Sequence, residues 1–383
     1  MPNGAVARAQ EEAAAAGLRY VHDEGPGISR RRRGRGWSYT RPDGTLVRDR
    51  NERDRIASLA IPPAWTGVWI CPDPRGHIQA TGRDARGRKQ YRYHPQWKEV
   101  RDETKFGRMI RFGEALPRIR RKVDEALRAR ELTREKVLAT VVRLLEITCI
   151  RVGNHQYKRE NGTFGLTTLR NRHVRVFADG VYFRFKGKGG QRIEAHVDGR
   201  RLARIIRECQ DIPGYELFQY FDEEGRRTDV RSEDVNDYLR EISGDDFTAK
   251  DFRTWMATLH AFAFLSRQEP VDAEKDLKRH RVAAIDHVAD QLRNTRTVCR
   301  TSYVHPAVLR FYGSDVQKRY YRDTNGASRD RQRAIELKLL RLLRATGANG
   351  NGCDATAQPP DAPANGRRRR SPRSSASATQ ARQ

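Results

Sequence analysis

At 383 residues with 37% hydrophobic composition the chain can bury a substantial core, and its length suggests two domains with room for tails. Its 76 Lys and Arg against 49 Asp and Glu leave a formal net charge of +27, which draws it to polyanions, nucleic acid ahead of anionic membrane. No apolar run approaches the roughly 20 residues that span a bilayer, and the Glu11-Glu12-Ala13-Ala14-Ala15-Ala16 stretch lacks the plan of a signal peptide, so an intracellular protein is predicted.

Residues 1–17 read as a frayed Ala/Glu helix, an N-terminal tail. From Leu18 to about Trp97 the composition turns to Gly, Pro, Trp and Tyr, with β-prone runs at Trp37-Ser38-Tyr39 and Gly67-Val68-Trp69-Ile70-Cys71 between Pro/Gly breaks such as Pro42-Asp43-Gly44. This predicts a small antiparallel β-rich domain over 18–97. The period then changes. Val137, Val141, Leu144, Leu145 and Thr148 share one face of an amphipathic helix that should end at Arg151-Val152-Gly153, inside a second, mainly helical domain spanning 98–320.

Within that domain Val174-Arg175-Val176-Phe177 and Val181-Tyr182-Phe183-Arg184-Phe185 flank Asp179-Gly180, a hairpin signal, and Ile193-Glu194-Ala195-His196-Val197 supplies a third strand. Lys188 therefore belongs at the tip of the second turn. Further helices carry Leu202, Ile205, Ile206 and Cys209, then Val235, Tyr238, Leu239 and Ile242 behind a Ser232 N-cap, then a segment from Thr248 with a Thr248/Asp251 capping box. The last long helix of the domain carries Val282, Ile285, Val288, Ala289 and Leu292, a C-terminal helix is expected over 321–345, and the Pro/Ala- and Arg-rich stretch 346–383, with Arg367-Arg368-Arg369-Arg370, reads as a disordered basic tail. Cys71, Cys149, Cys209, Cys299 and Cys353 are odd in number and scattered, so neither a disulfide framework nor a Cys-x-x-Cys metal site is expected.

The segment from Thr295 to Pro306 sets Tyr303 in a basic, turn-forming context, downstream of Arg151, Lys188 in Gly187-Lys188-Gly189-Gly190, and Arg253 in Phe252-Arg253-Thr254-Trp255. A phenol, with an ordinary pKa of roughly 10, attacks a phosphodiester only where cations absorb the developing charge. Arg suits the clamp on the non-bridging oxygens because its planar fork pairs with phosphate and stays protonated; Lys suits delivery of a proton to the departing sugar oxygen. Taken singly, each has an ordinary explanation: an Arg complementing a helix dipole, a solvated hairpin, a packing tyrosine. The Gly-rich turn lacks the spacing of a P-loop, which disfavours nucleotide binding. It is the ordered set Arg, Lys, Arg, Tyr that points to breaking and rejoining DNA.

With these residues in view, the chain resembles the type IB DNA topoisomerases, in particular the compact bacterial branch similar to the poxvirus enzyme, from about Leu18 to Asp315. The resemblance is carried by Ile61-Pro62-Pro63-Ala64-Trp65, the Gln79 to His94 stretch, Arg151-Val152-Gly153-Asn154, Phe183-Arg184-Phe185-Lys186-Gly187-Lys188, Lys250-Asp251-Phe252-Arg253-Thr254-Trp255 and Ser302-Tyr303-Val304-His305-Pro306. It implies that Tyr303 forms a 3′-phosphotyrosine, that Arg151 and Arg253 stabilise the pentacoordinate phosphate, that Lys188 is the general acid, and that Lys250 adds a phosphate contact. Relatives place a histidine nine residues before the nucleophile, where this chain has Asn294. Its amide can donate to a phosphate oxygen without charge, with His287 and His305 as the alternatives.

In the β-rich domain Arg83, Arg86, Arg88, Lys89, Tyr91, Arg92 and Tyr93 interleave cations and aromatics, and by the resemblance Tyr91 and Tyr93 contact DNA, with Arg83, Arg88 and Lys89 beside them. Arg30-Arg31-Arg32-Arg33 reads as a nonspecific electrostatic contact. The expectation is an α+β monomer that closes as a C-shaped clamp on double-stranded DNA, relaxes supercoils with no cofactor, nucleotide or metal, and works in the cytoplasm at the nucleoid. A tyrosine recombinase is disfavoured by Lys250, which stands where recombinases carry His, and an architectural DNA-binding protein would be indifferent to Tyr303→Phe.

Overall fold

The computed structural model describes residues 4–314 and 328–347; the expected basic tail from 348 on, with Arg367 to Arg370 and Cys353, lies outside the described residues, as do 321–327 of the expected C-terminal helix. After helix α1 (Gly4–Ala15), the chain builds a five-stranded antiparallel sheet from β1 (Ile28–Arg33), β2 (Gly36–Thr40), β3 (Thr66–Ile70), β4 (Ile78–Arg83) and β5 (Lys89–Tyr93), in the order β2-β1-β3-β4-β5. Ile28, Val68, Ile70 and Ala80 point to one side of this sheet, where Val47 and Ile56 complete a small core. Helix α2 (Arg50–Ser58) supplies Ile56, its one buried residue, and is capped by Asp49, whose carboxylate accepts the Glu52 amide at 2.7 Å. A single apolar anchor in nine residues leaves no helical period to read, so this helix was not anticipated.

Arg30 corrects an expectation. It is no solvated contact: its guanidinium donates to the Ile61, Pro62 and Trp65 carbonyls at 3.1, 3.0 and 2.8 Å and lies 4.0 Å from the Trp37 ring centroid. Arg31, Arg32 and Arg33 remain exposed.

Helix α3 (Pro95–Ala126) begins on a proline at its first turn and leads into the helical part. Gly113 in this helix is a packing requirement. A Cβ there would lie 2.4 Å from the Trp255 ring, so the missing side chain lets a fully buried indole seat against the helix. Trp255 belongs to α8 (Ala249–Leu265), which packs between α3, α4 (Arg134–Thr148), α7 (Ser232–Ser243) and α9 (Glu274–Leu292). The short α5 (His155–Asn161) follows α4; α6 (Arg200–Asp211) backs the three-stranded sheet; α10 (Arg296–Ser302) and α11 (Pro306–Phe311) follow α9; and α12 (Ser328–Gly347) packs on α3 and α8. An interior ion network holds α12, with Arg120 of α3 donating to both Glu336 oxygens at 2.7 Å and to Glu146 of α4 at 2.5 Å.

The predicted three-stranded sheet is present as β6 (Val174–Val176), β7 (Gly180–Lys186) and β8 (Arg192–Asp198), antiparallel, with Phe183 opposite Val174 and Ala195. Val181, Phe183, Phe185, Ile193 and Val197 face the main core. A two-stranded ribbon, β9 (Gln219–Phe221) with β10 (Arg227–Asp229), was too short to show an alternation.

Local expectations shift in three places. Ser232 is the first residue of α7 rather than its cap; the cap position is Arg231, and Asp234 reaches back to accept its amide at 2.7 Å. Val282 is exposed, whereas Ile285, Val288, Ala289 and Leu292 are buried as expected. Most consequentially, α4 ends at Thr148, not at Arg151-Val152-Gly153, because Cys149 takes a left-handed conformation (φ 54°) and the Thr148 hydroxyl accepts the Ile150 amide at 3.2 Å. Arg151 is therefore not complementing a helix dipole.

Candidate active site

The premature end of α4 creates the first part of the site. Residues 150–154 run irregularly and are pinned by a 3-10 turn at Leu166–Thr168, whose Leu166 and Thr167 amides donate to the Arg151 and Val152 carbonyls at 2.9 and 2.7 Å. The approach is close enough that a Cβ on Gly165 would sit 2.5 Å from the Gly153 backbone, and Gly153 itself has φ 103°. With its backbone fixed in this way, Arg151 sends Nη2 to the Asn294 side-chain oxygen at 3.0 Å.

Asn294 follows the left-handed Arg293 that ends α9, and its amide N–H returns to the Ala289 carbonyl at 2.9 Å. Its side-chain Nδ2 is buried without a hydrogen-bond partner among the described residues. A buried donor without an acceptor is costly, so this N–H has hydrogen-bonding capacity to spare. The alternatives to Asn294 have other occupations. His305 caps α11, accepting the Ala307 amide at 3.1 Å, and burial holds it down at about pKa 4; His287 stacks on Phe264 at 5.4 Å.

Arg253 comes from the first half of α8 and is only 5% exposed. Its two terminal nitrogens donate to the Cys149 carbonyl and, at 3.0 Å, to the Leu292 carbonyl, which join the ends of α4 and α9 around it, while Nε has no partner among the described residues. The guanidinium carbon is 5.4 Å from the Tyr303 ring centroid. Tyr303 stands at the C-cap of α10 with φ −126° and ψ −41°. Burial by itself would raise its phenol, but Arg253 first, then Arg151 and Lys250, outweigh that and hold it below the ordinary tyrosine value. Lys250 sits exposed in the first turn of α8, whose Asp251 carboxylate accepts both the Thr248 amide and hydroxyl at 2.8 and 3.0 Å.

Lys188 is exposed at the β7–β8 turn, as the hairpin reading placed it. Gly189 and Gly190 have φ 77° and 81°, so the tight turn that presents the lysine needs glycine at both. Lys188, Arg151 and Arg253 line one narrow cleft with Cys149, Glu194 and Arg293. Arg293 was not singled out in the sequence. Its guanidinium bonds the Asp290 and Gln291 carbonyls at 2.7 and 2.9 Å and reaches the Glu194 carbonyl of β8 at 3.1 Å, tying the hairpin that carries Lys188 to the helix end that carries Asn294. Nothing in a sequence flags one arginine among so many for such a role.

On the β-rich domain, Tyr91 and Tyr93 project from the same face of β5, stacked at 5.7 Å with an 8° interplanar angle and 40% and 38% exposed. Their neighbours are tied up: Arg83 donates to the Gly87 carbonyl at 2.9 Å, Arg88 pairs with Asp84 at 2.7 Å, and Lys89 pairs with Asp23 at 2.7 Å. Arg92 faces the other way, onto the Ala60 carbonyl at 2.7 Å. Among the described residues no cluster of three His, Cys, Asp or Glu could hold a metal ion, and no helix is long and apolar enough to cross a membrane.

Arg253 and Lys250 from the first half of α8 and Arg151 from an irregular segment thus set positive charge beside a half-buried phenol, with Asn294 bonded to Arg151 and Lys188 in the same cleft as the two arginines, an arrangement suited to holding a phosphate. Comparison with known proteins agrees. Residues 94–340 match the family model for the catalytic core of eukaryotic DNA topoisomerase I, and residues 36–84 match that for the N-terminal domain of bacterial DNA topoisomerase IB. The chain is 32% identical over 298 residues to DNA topoisomerase 1B of Acanthamoeba polyphaga mimivirus, covering 76% of this chain and 89% of that relative. It is 28% identical over 230 residues to DNA topoisomerase 1B of Vaccinia virus (strain Copenhagen) and, equally, to DNA topoisomerase I of Monkeypox virus, covering 60% of this chain and 70% of each. The chain belongs to the type IB DNA topoisomerases: it is an isomerase, and its substrate is DNA.

Proposed function

We propose that the enzyme relaxes supercoiled duplex DNA by breaking one strand through Tyr303. The phenolic oxygen attacks the phosphorus and loses its proton to water; the bond from phosphorus to the 5′ oxygen breaks; and Lys188 gives that oxygen its proton. Arg151, Arg253 and the free N–H of Asn294 hold the non-bridging oxygens, where negative charge builds in the transition state. The observation that carries this reading is the cluster itself, a tyrosine whose pKa two guanidiniums lower, with an orphaned amide donor bonded to one of them.

The phosphotyrosine ester keeps the energy of the broken bond, so the 5′ hydroxyl can reverse the step after the free end has rotated, and neither ATP nor a metal ion is needed. Lys250 adds a phosphate contact, and the stacked pair Tyr91 and Tyr93 rests against the duplex as the chain clamps it as a monomer. Incubating negatively supercoiled plasmid with the enzyme in excess chelator and without nucleotide tests the reading. Full relaxation is expected; a strict requirement for either additive would overturn it.

A further inference from the structure

We propose that Thr258 is a positioning residue for the nucleophile, its buried hydroxyl holding the backbone around Tyr303 against the helix that carries Arg253. This rests on the reading of Tyr303 as the attacking group. The need for such a tether comes from α10. Cys299 is the one buried residue in this seven-residue helix, so α10 has almost no apolar face with which to fix its own C-terminus. Tyr303 follows directly, and the Tyr303 and Val304 amides both return to the Cys299 carbonyl, at 3.1 and 2.9 Å.

The other side of the segment is held by Thr258. Its fully buried hydroxyl accepts the His305 amide at 3.1 Å and shares its proton between the Tyr303 carbonyl at 3.1 Å and the Thr254 carbonyl at 3.0 Å. The single proton is thereby shared by two acceptors, and one of the two lone pairs is taken by the His305 amide. Among the described residues neither the Tyr303 carbonyl nor the His305 amide has another partner. Valine would fill the same space in this apolar surrounding, so packing does not call for a hydroxyl here. Thr258 and Arg253 lie on one helix buried over most of its length, so the hydroxyl transmits the position of a rigid element to the phenol and fixes its 5.4 Å spacing from the guanidinium. A reacting group misplaced by about 1 Å costs on the order of 100-fold in rate.

The test is single-turnover formation of the covalent adduct on saturating duplex, well below each variant's melting transition, for Thr258→Val, Thr258→Ala and Thr258→Ser, with Tyr303→Phe alongside. Val and Ala should slow adduct formation about 10-fold to 100-fold while DNA affinity by fluorescence anisotropy stays at the native level. Ser, which keeps the hydroxyl, should restore the rate. Native rates in Val and Ala overturn the proposal, as does a Ser variant as slow as Val or a loss of affinity that matches the loss of rate. Adduct formation by Tyr303→Phe would instead sink the assignment of the nucleophile and the tether with it.

Discussion

Replacing Asn294 separates its two roles. The alanine variant loses the acceptor that receives Arg151 Nη2 at 3.0 Å and the buried Nδ2 that has no partner among the described residues. The first loss costs about 1 kcal/mol of stability at most, since Arg151 is only half-buried and can turn to water. The second removes a preorganised donor from the place where charge develops, which costs about 2.7–4 kcal/mol, or on the order of 100-fold to 1,000-fold in rate. Asn294→Asp keeps the acceptor and the shape but points a negative oxygen at the phosphate, so it should be slower than alanine. A neutral histidine has one acceptor and one donor nitrogen and can do both jobs, so Asn294→His should stay active and add an ionisation below about pH 6.5 that the native enzyme lacks at this position. Covalent cleavage of an end-labelled duplex in a single turnover measures all three. An alanine variant at the native rate, or an aspartate variant faster than alanine, would refute the reasoning.

Lys188→Ala should slow cleavage by about 100-fold or more, and most of that loss should vanish on a substrate whose 5′ oxygen is replaced by sulfur, because a thiolate leaves without being protonated; no rescue removes Lys188 as the acid. Gly113→Ala gains about 1 kcal/mol of helix propensity but forces a Cβ to within 2.4 Å of the buried Trp255 ring; chemical denaturation should show a net loss of about 1–2 kcal/mol, and a stabilised variant contradicts the packing. Burial holds His173, His260 and His305 at about pKa 4, below the unfolded value, so between the two the unfolded chain binds more protons and stability falls as pH is lowered. The melting temperature should therefore drop from about pH 6.5 to 5, above the range of ordinary carboxylates; a flat profile there would count against three histidines held neutral by the fold.

The β-rich domain, the three-stranded sheet and the amphipathic helices were legible because one buried face imposes a period of two or 3.6 on the chain. Long α3 was not, since Gly107, Gly113 and Pro117 interrupt the pattern while tertiary packing, Trp255 on Gly113 above all, holds the helix together. Tyr303, Arg151, Arg253 and Lys188 could be picked out as an ordered set, and Asn294 only by its spacing from the tyrosine. What the chain could not declare is how they meet. The left-handed Cys149 that ends α4 early, the carbonyls that hold Arg253, and the roles of Arg293 and Thr258 depend on backbone groups that every residue carries. The split between Arg30, half-buried against Trp37, and its exposed neighbours is equally invisible in a run of four identical letters.

The most direct test is to quench the enzyme with denaturant during reaction on duplex DNA, digest the surviving protein–DNA adduct, and map the modified residue by mass spectrometry. A nucleotide joined through its 3′ phosphate to Tyr303, and no adduct from Tyr303→Phe, is the predicted result. Modification at any other residue, or relaxation of plasmid by Tyr303→Phe, would contradict it.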